Sequence, residues 1–318
     1  MTGLDPTATT GSGPTVSVIV VTWNSEEVIQ GCIDSLLDTL DAREWELIVI
    51  DNASTDGTLA VVRSLQRGAT VIANATNVGL AAANNQGLDA ATGSLLLICN
   101  PDVIFKPDSV TALAAVMDRH PRAGWVVPRL VYEDGTLQTS AGDLPSLTET
   151  LLGRQLSRRR QSGSCTGFWW DGWAHDEERT IGRGHESAYL VRRSAIDDVG
   201  PQDPRYVLDW EGLDWTDRFR RAGWEIWLAP GAEVVHLGGN SIRQVPFRST
   251  VSAHRGMYLF FSSRRPPAWK PALAVAFTLR ASVKLALTAV GIPLYQRAYR
   301  NQQKGAPTQE MPRSRRIS

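Results

Sequence analysis

Four times in its first hundred residues the chain repeats one plan: a short, β-branched apolar run ends on a polar residue, and a segment of helical periodicity follows. VSVIVVTW (16–23) leads into NSEEVIQGCIDSLLDTL, where Val28, Ile29, Cys32, Ile33, Leu36, Leu37 and Leu40 fall on one helical face. Asn24, with Glu27 three residues on, reads as the N-cap that starts this helix. WELIVIDNASTDGT repeats the pattern, with a strand ending at Asp51 and a helix over 58–66 capped by Asp56. ATVIAN gives a third strand, GLAAANNQGLDAA a third helix, and SLLLICNPDV a fourth strand that runs into Asn100, Pro101 and Asp102. Pro107 suits the first turn of a helix through His120. Strands alternating with helices of about three turns bury their apolar faces as a mostly parallel sheet with helices on both faces, an α/β fold.

The carboxyl ends of the strands in such a sheet share one edge, where α/β proteins bind their ligands. Thr22, Asp51, Asn77 and Asp102 stand at or just past four successive strand ends. Any one of them reads equally well as a turn or cap residue. Four in succession read as a site. No G-x-G-x-x-G follows the first strand and no G-x-x-x-x-G-K-[ST] occurs, so neither a dinucleotide fingerprint nor a P-loop is supported. Neither G-x-S-x-G nor H-E-x-x-H is present. An edge of carboxylates without a Cys/His cluster suits a hard, oxygen-liganded ion, Mg2+ or Mn2+, which keeps phosphate oxygens among its ligands.

The 318 residues are 42% hydrophobic, enough to bury a sizeable core. Of three cysteines, Cys32 and Cys99 lie inside apolar periodic segments and no C-x-x-C pair occurs, which points to a reducing compartment rather than a disulfide framework. The first fourteen residues lack the basic start and apolar run of a secretory signal and read as a loose arm. A net charge of zero hides an asymmetry, because residues 251–318 carry twelve Lys/Arg against the single acid Glu310. These cations are interleaved with aliphatic runs, which favours an anionic membrane surface over nucleic acid. From Pro266 to Tyr299 the charges Lys270, Arg280, Lys284 and Arg297 leave no run of the roughly 18–20 apolar residues that a spanning helix requires. The segment therefore reads as an amphipathic extension lying on the bilayer, with Arg280 and Lys284 on its polar face. Leu279, Val283, Leu285, Leu287 and Val290 form its apolar face.

VIVVTWNS, LIVIDNASTDGT, NVGLAAANNQG and CNPDV together resemble successive motifs of the family 2, GT-A-fold glycosyltransferases. YLVRRSAIDDVG, RFRRAGWEIWLAPGAEVVH and the basic C-terminal extension are similar, within that family, to bacterial rhamnosyltransferases that use polyprenyl-diphosphate-linked N-acetylglucosamine. The resemblance implies an inverting transferase that moves a sugar, L-rhamnose from the nucleotide-sugar donor dTDP-L-rhamnose, to a lipid-linked acceptor. It also implies a peripheral protein on the cytoplasmic face of the membrane. The organisation implied is an arm (1–14), a GT-A domain (15–250) with donor half 15–130 and acceptor half 131–250, a helical membrane-associating extension (251–300) and a basic tail (301–318).

By the same resemblance, Asp102 matches the last acid of the family's metal-binding D-x-D, with Pro101 fixing the backbone of its approach. Asp51 matches the acid that contacts the donor's base or ribose, and Thr22 and Asn24 lie where the first strand end meets that base. Asn77 and Gly79 match the turn that lines the donor pocket. Asn84 and Asn85 match a helix-borne asparagine pair, which helix packing would explain as well. His236 matches a late-strand histidine that reaches the metal or diphosphate, and Ser241 completes an H-x-x-x-x-S pattern.

The acceptor side requires a general base. DWEGLDW (209–215) matches the family's W-E-D-V-D-L at Glu211 and Asp214, but Gly212 replaces the acid often credited as that base. Three readings stay open: Glu211 is the base, Asp209 or Asp214 has assumed the role, or the chain binds without transferring. A second departure lies in GRGHESAYLVRR, where Glu186 stands at a position that is commonly glycine. Either the acceptor pocket differs or the segment is shifted by an insertion, and SCTGFWWDGWAHDE (164–177) fits an insertion. Its Phe168, Trp169, Trp170 and Trp173 read as a sugar platform or as packing against the domain. Arg154, Arg158, Arg159 and Arg160 read as a solvated loop or as a holder for a lipid diphosphate.

Overall fold

The computed structural model describes residues 15–40, 44–65, 68–152, 168–238 and 246–290. The N-terminal arm, Arg154, Arg158, Arg159, Arg160, Ser241 and the basic tail lie outside the described residues.

The repeated strand-helix plan is realised. Strands β1 (Val16–Thr22), β2 (Trp45–Asp51), β3 (Thr70–Ala73) and β4 (Leu95–Cys99) are joined through helices Ile29–Leu37, Thr58–Ser64 and Leu80–Ala90. Strand β5 (Val103–Phe105) precedes a helix over Ser109–Arg119, two residues past Pro107, and β6 (Ala123–Val131) follows. Short strands β7 (Leu137–Gln138), β8 (Ala141–Gly142), β9 (Arg179–Thr180) and β10 (Arg183–Gly184) lead to β11 (Ala188–Arg192) and the long β12 (Glu225–His236).

The main sheet runs β3-β2-β1-β4-β11-β6-β12-β5. The first four strands in that order are mutually parallel, as are β6 and β12, while β11 runs antiparallel between β4 and β6. This reversal brings the amino end of β11 to the edge where β1, β2, β4 and β12 finish. Alternation along β1 sends Val16, Val18 and Val20 to one face, against Ile29, Cys32, Ile33 and Leu36, and Ile19 and Val21 to the other, with Ala83 and Leu88. Both faces are thus covered by helices, which leaves the strand ends as the open edge.

One expected cap is corrected. The first helix begins at Ile29, with Val28 at its N-cap position and no side-chain cap. Asn24 instead adopts a left-handed backbone (φ 48°), and its Oδ1 accepts a hydrogen bond from the Thr55 N–H (2.8 Å) in the turn after β2. Asp56 does serve the second helix, accepting from the Thr58 N–H (3.1 Å).

The C-terminal helices Pro246–Ser263 and Lys270–Ala289 dock through Phe260, Phe261, Leu273 and Phe277 onto Tyr206, Trp210 and Leu213. Together with a short turn over Pro267–Trp269, the last helix is a 23-residue span holding an 18-residue stretch of mean hydropathy 1.5, long and apolar enough to cross a membrane by length and composition. That stretch includes Arg280 and Lys284, so the uninterrupted apolar run is still absent from it. Arg280 turns inward, with Nη1 2.7 Å from His254 Nε2, and Lys284 is half-buried. Val275, Leu279 and Val283, by contrast, are each about three-fifths exposed.

Candidate active site

Strands β1 and β2 pair in register so that Thr22 lies beside Asp51, both buried. Thr22 Oγ1 and Asp51 Oδ1 have no hydrogen-bond partner, although Asp51 Oδ2 accepts from the Ser54 N–H (3.2 Å). An unsatisfied buried polar atom costs about 1–3 kcal/mol, a cost that a bound ligand removes. Asn52, which sequence reasoning missed, ties this strand end to the next turn. Its Oδ1 accepts from the Val78 N–H (3.0 Å) and its Nδ2 donates to Asn77 Oδ1 (3.2 Å). Asn77 Oδ1 also accepts from the Gly79 N–H (3.1 Å). Gly79 holds φ at 90°, and a Cβ there would stand 2.9 Å from the Val207 carbonyl oxygen. A side chain is excluded on both counts.

Asn84 and Asn85 are committed to a protein partner. Asn84 Nδ2 donates to Gln202 Oε1 (3.0 Å), while Asn85 both donates to the Gln202 carbonyl (2.8 Å) and accepts from its N–H (2.9 Å). They fasten helix Leu80–Ala90 to the segment that ends at Val207, against Gly79. Their place is thus in the scaffold behind the turn of Asn77 and Gly79.

Beyond β4, the Asn100 N–H donates to the Ser187 carbonyl (2.8 Å) and the Leu237 N–H to the Asp102 carbonyl (3.0 Å). The turn so formed delivers Asp102 into β5, whose Val103 pairs with His236. Asp102 Oδ1 and His236 Nε2 then face each other at 3.6 Å, too far for a hydrogen bond, and both residues are buried. On its other side, His236 Nδ1 lies 3.1 Å from Gln138 Oε1. An amide oxygen only accepts, so Nδ1 carries the hydrogen and Nε2 presents its lone pair toward Asp102. Burial holds the His236 imidazole below its ordinary pKa, opposed by the nearby Asp102 charge.

Two buried lone-pair atoms facing across a gap, with Asp102 Oδ1 otherwise unpartnered, fit a divalent cation. Among the described residues, no group of three or more His, Cys, Asp or Glu surrounds a common point. An ion held there would draw its remaining ligands from water and phosphate, as Mg2+ and Mn2+ do.

A cluster of acids lies at the start of helix Glu211–Arg221. Asp209 (φ 64°) and Trp210 (φ 75°) are both left-handed, a costly pair of conformations that turns the chain sharply into the helix. Glu211 is buried with Oε2 unpartnered; burial, then the charges of Glu186 and Asp209, raise its carboxyl well above the usual range. Glu186, just before β11, places its carboxyl over the Gly212 backbone. A Cβ added to Gly212 would stand 2.0 Å from Glu186 Cδ, and the Gly212 N–H hydrogen-bonds to the carboxylate. Burial raises the Glu186 carboxyl to about 7, against the opposing pull of Arg183 and with a further push from Asp209.

Asp214 is differently engaged. Its Oδ2 accepts from Arg218 Nε (3.0 Å) and its Oδ1 from Arg264 Nη2 (3.0 Å), so guanidinium groups occupy both oxygens. The structure therefore gathers Asp209, Glu211 and Glu186, and draws Asp214 into the attachment of the C-terminal helices.

The aromatic segment divides. Trp170 is buried in the core and donates from Nε1 to Asp143 Oδ2 (3.0 Å). Phe168 and Trp169 flank the Arg183 guanidinium, at 4.1 and 3.8 Å from their ring centroids. Trp169 also stacks near His185 (5.8 Å), whose ring lies 5.1 Å from that of His236. Half of the segment is thus packing, and half extends toward the Asp102–His236 pair. Arg183 and His185 were missed by sequence reasoning; their signal was the GRGHES run around Glu186.

The profile of the family described as Glycosyl transferase family 2 matches residues 17–176, half of the chain. The chain is 29% identical over 280 residues to the N-acetylglucosaminyl-diphospho-decaprenol L-rhamnosyltransferase of Mycobacterium tuberculosis, covering 84% of this chain and 90% of that one. Among solved structures, it is similar to a mannosyltransferase of Pyrobaculum calidifontis in complex with GDP-Man and Mn2+ (TM-score 0.51, 19% identity, 92% of this chain and 84% of that chain). It is also similar to S. aureus TarS 1–349 in complex with UDP-GlcNAc (TM-score 0.51, 18% identity, 83% of this chain and 71% of that chain). The match over the strand-end motifs and the likeness in fold lead to one assignment: the chain belongs to glycosyl transferase family 2 and has a GT-A fold.

Proposed function

We propose that the protein is an inverting glycosyltransferase that moves L-rhamnose from dTDP-L-rhamnose to a polyprenyl-diphosphate-linked sugar at the cytoplasmic membrane face. The observation that carries this reading is the run of unsatisfied buried oxygens on Thr22, Asp51 and Asp102 along one sheet edge, ending at the His236 imidazole. In this reading Thr22 and Asp51 receive the nucleoside, and the turn of Asn77 and Gly79 walls the pocket. Asp102 and His236 would hold Mg2+ or Mn2+, which when bound neutralises charge on the diphosphate. The acids around Gly212 face the acceptor hydroxyl and take its proton. The sugar and the lipid-linked acceptor are supported by the relative that shares 84% of this chain's length. The outward apolar face at Val275, Leu279 and Val283 supports a place on the bilayer, where such an acceptor resides.

The test is a panel of nucleotide sugars offered to the purified protein with and without Mn2+ or Mg2+. Melting temperature and transfer to polyprenyl-diphosphate-linked N-acetylglucosamine are both read. The expected result is metal-dependent stabilisation and turnover with dTDP-L-rhamnose. Turnover with a UDP-hexose alone would replace the donor, and the absence of donor binding and transfer across the panel would overturn the reading.

A further inference from the structure

Glu186 and Gly212 are far apart in the chain but share one space. The Glu186 carboxyl carbon lies 2.0 Å from where a Cβ on Gly212 would be, so no side chain can occupy position 212 while Glu186 keeps its place. A side chain at 212 and the Glu186 carboxyl thus compete for one space, and Glu186 must swing aside for any residue larger than glycine there. The point itself is next to the candidate chemistry. His185, on one side of Glu186, has its ring 5.1 Å from that of His236, and Ser187, on the other, accepts the hydrogen bond from Asn100 that shapes the Asp102 turn. The amino end of a three-turn helix lies beneath the carboxylate, and the Gly212 N–H there stabilises its charged form.

We infer that Glu186 is the general base of this enzyme, reaching from the strand before it into the position that the bare backbone of Gly212 leaves open. The inference rests on the transferase reading given above. As the acceptor hydroxyl oxygen bonds to the donor's anomeric carbon, the bond from that carbon to the phosphate oxygen breaks. The nucleoside diphosphate leaves with the electron pair, and the hydroxyl proton passes to the Glu186 carboxylate. Glu211 is the poorer candidate because it is the more deeply buried of the two, 3% exposed against a half-buried Glu186, and burial with two neighbouring acids disfavours its charged form. Glu186, raised to about 7 by burial, lies where a base at neutral pH works best. The charged groups that set this balance are Arg183, Asp209 and Glu211, with the Tyr189 phenol behind them.

The test is an exchange of positions. Glu186→Gln is expected to lower kcat for transfer by about 10²–10⁴-fold, while donor binding, read by thermal shift, stays as in the wild type. The acid limb of the pH–rate profile disappears with it. Glu186→Gly is expected to be as impaired, and the double variant Glu186→Gly/Gly212→Asp to regain at least about tenfold over it, the equivalent of about 1.4 kcal/mol in barrier. A purely structural role for Glu186 does not predict that rescue. Transfer by Glu186→Gln within about threefold of an active wild type, or a folded double variant no better than Glu186→Gly, overturns the inference alone. A wild type that transfers no sugar overturns the transferase reading and, with it, the inference.

Discussion

His236 turns the lone pair of Nε2 toward Asp102 Oδ1 across 3.6 Å, and Gln138 holds the ring in that orientation from behind. Such a pair is arranged to share a cation rather than to bond to itself. Asp102→Asn keeps the shape of the turn and removes the charge. Transfer is expected to fall by about 10²-fold or more, because a metal clamp on a leaving diphosphate supplies several kcal/mol. The Mn2+ concentration for half-maximal rate should rise as well, with the circular dichroism spectrum unchanged. Initial rates across a metal titration decide it, and an unaltered metal dependence would remove Asp102 from this role.

The edge that carries Thr22, Asp51 and Asp102 was legible in the sequence because each of them stands at or just past the end of a parallel strand, and strand ends can be read from apolar periodicity alone. Thr22, Asp51 and Asp102 come together through local rules applied to β1, β2 and β4. Gln138 was not legible, since it reaches His236 from a two-residue strand whose pairing no periodicity announces. Asn24 was misjudged for a related reason. Its cap-like setting is local, whereas the Thr55 N–H that it serves lies 31 residues away in the next strand-helix loop. The acid cluster was half visible: Gly212 and Glu186 each read as an isolated departure. Only the antiparallel insertion of β11 into the sheet brings the Glu186 carboxyl over the Gly212 backbone.

Asp214 is the junction between the catalytic domain and the C-terminal helices. Arg218 and Arg264 each donate to it at 3.0 Å, and both Asp214 and Arg264 are largely buried, with side-chain exposures of 10% and 14%. Removing Asp214 takes away one of the two carboxylates on Arg264, which keeps its ion pair with Asp217 (2.6 Å), so the cost falls below the roughly 3–5 kcal/mol of a buried charge left wholly uncompensated. Asp214→Ala is therefore expected to lower the urea midpoint. Arg264→Met, which keeps an apolar stem beside Phe260 and removes the charge, should cost less in the Asp214→Ala background than in the wild type. Equal costs in both backgrounds would show that the two residues are not coupled.

His175 is fully buried, and burial lowers its pKa from 6.5 to about 4. The folded state keeps the ring neutral, whereas the unfolded chain begins to bind the proton as pH falls through 6.5. Unfolding therefore takes up a proton in that window, and the stability associated with His175 is lost as pH falls from about 6.5 to about 4. The full loss is roughly 3 kcal/mol at 1.36 kcal/mol per pKa unit. Glu186 acts in the opposite sense: its pKa is raised from 4.5 to about 7, so its contribution declines as pH rises through that range. Comparing wild type with His175→Gln by urea denaturation at several pH values isolates the histidine. The stability difference between the two should change by roughly 3 kcal/mol between pH 7 and pH 4. A difference independent of pH would refute the assignment.

The last helix packs Leu273 and Phe277 on the domain and turns Arg280 inward, yet leaves a row of aliphatic side chains outward. Val275, Leu279 and Val283, at successive i+4 positions, are exposed, while Arg280 is held against His254. Covering a Leu or Val side chain with hydrocarbon is worth about 1.5–3 kcal/mol, so burying this face in lipid is enough for reversible attachment. Replacing Leu279 and Val283 with glutamate should reduce cosedimentation with anionic vesicles at least about 100-fold. Turnover of a short-chain, water-soluble acceptor should be preserved, because both side chains face outward rather than into the docked interface. Salt distinguishes the source of the attachment. Binding through the aliphatic face survives 0.5 M NaCl, whereas binding through Arg265, Lys270 and other cations is released once the screening length falls to a few ångströms. Release of the wild type by salt, or vesicle binding undiminished in the double glutamate variant, would show that this face does not meet the membrane.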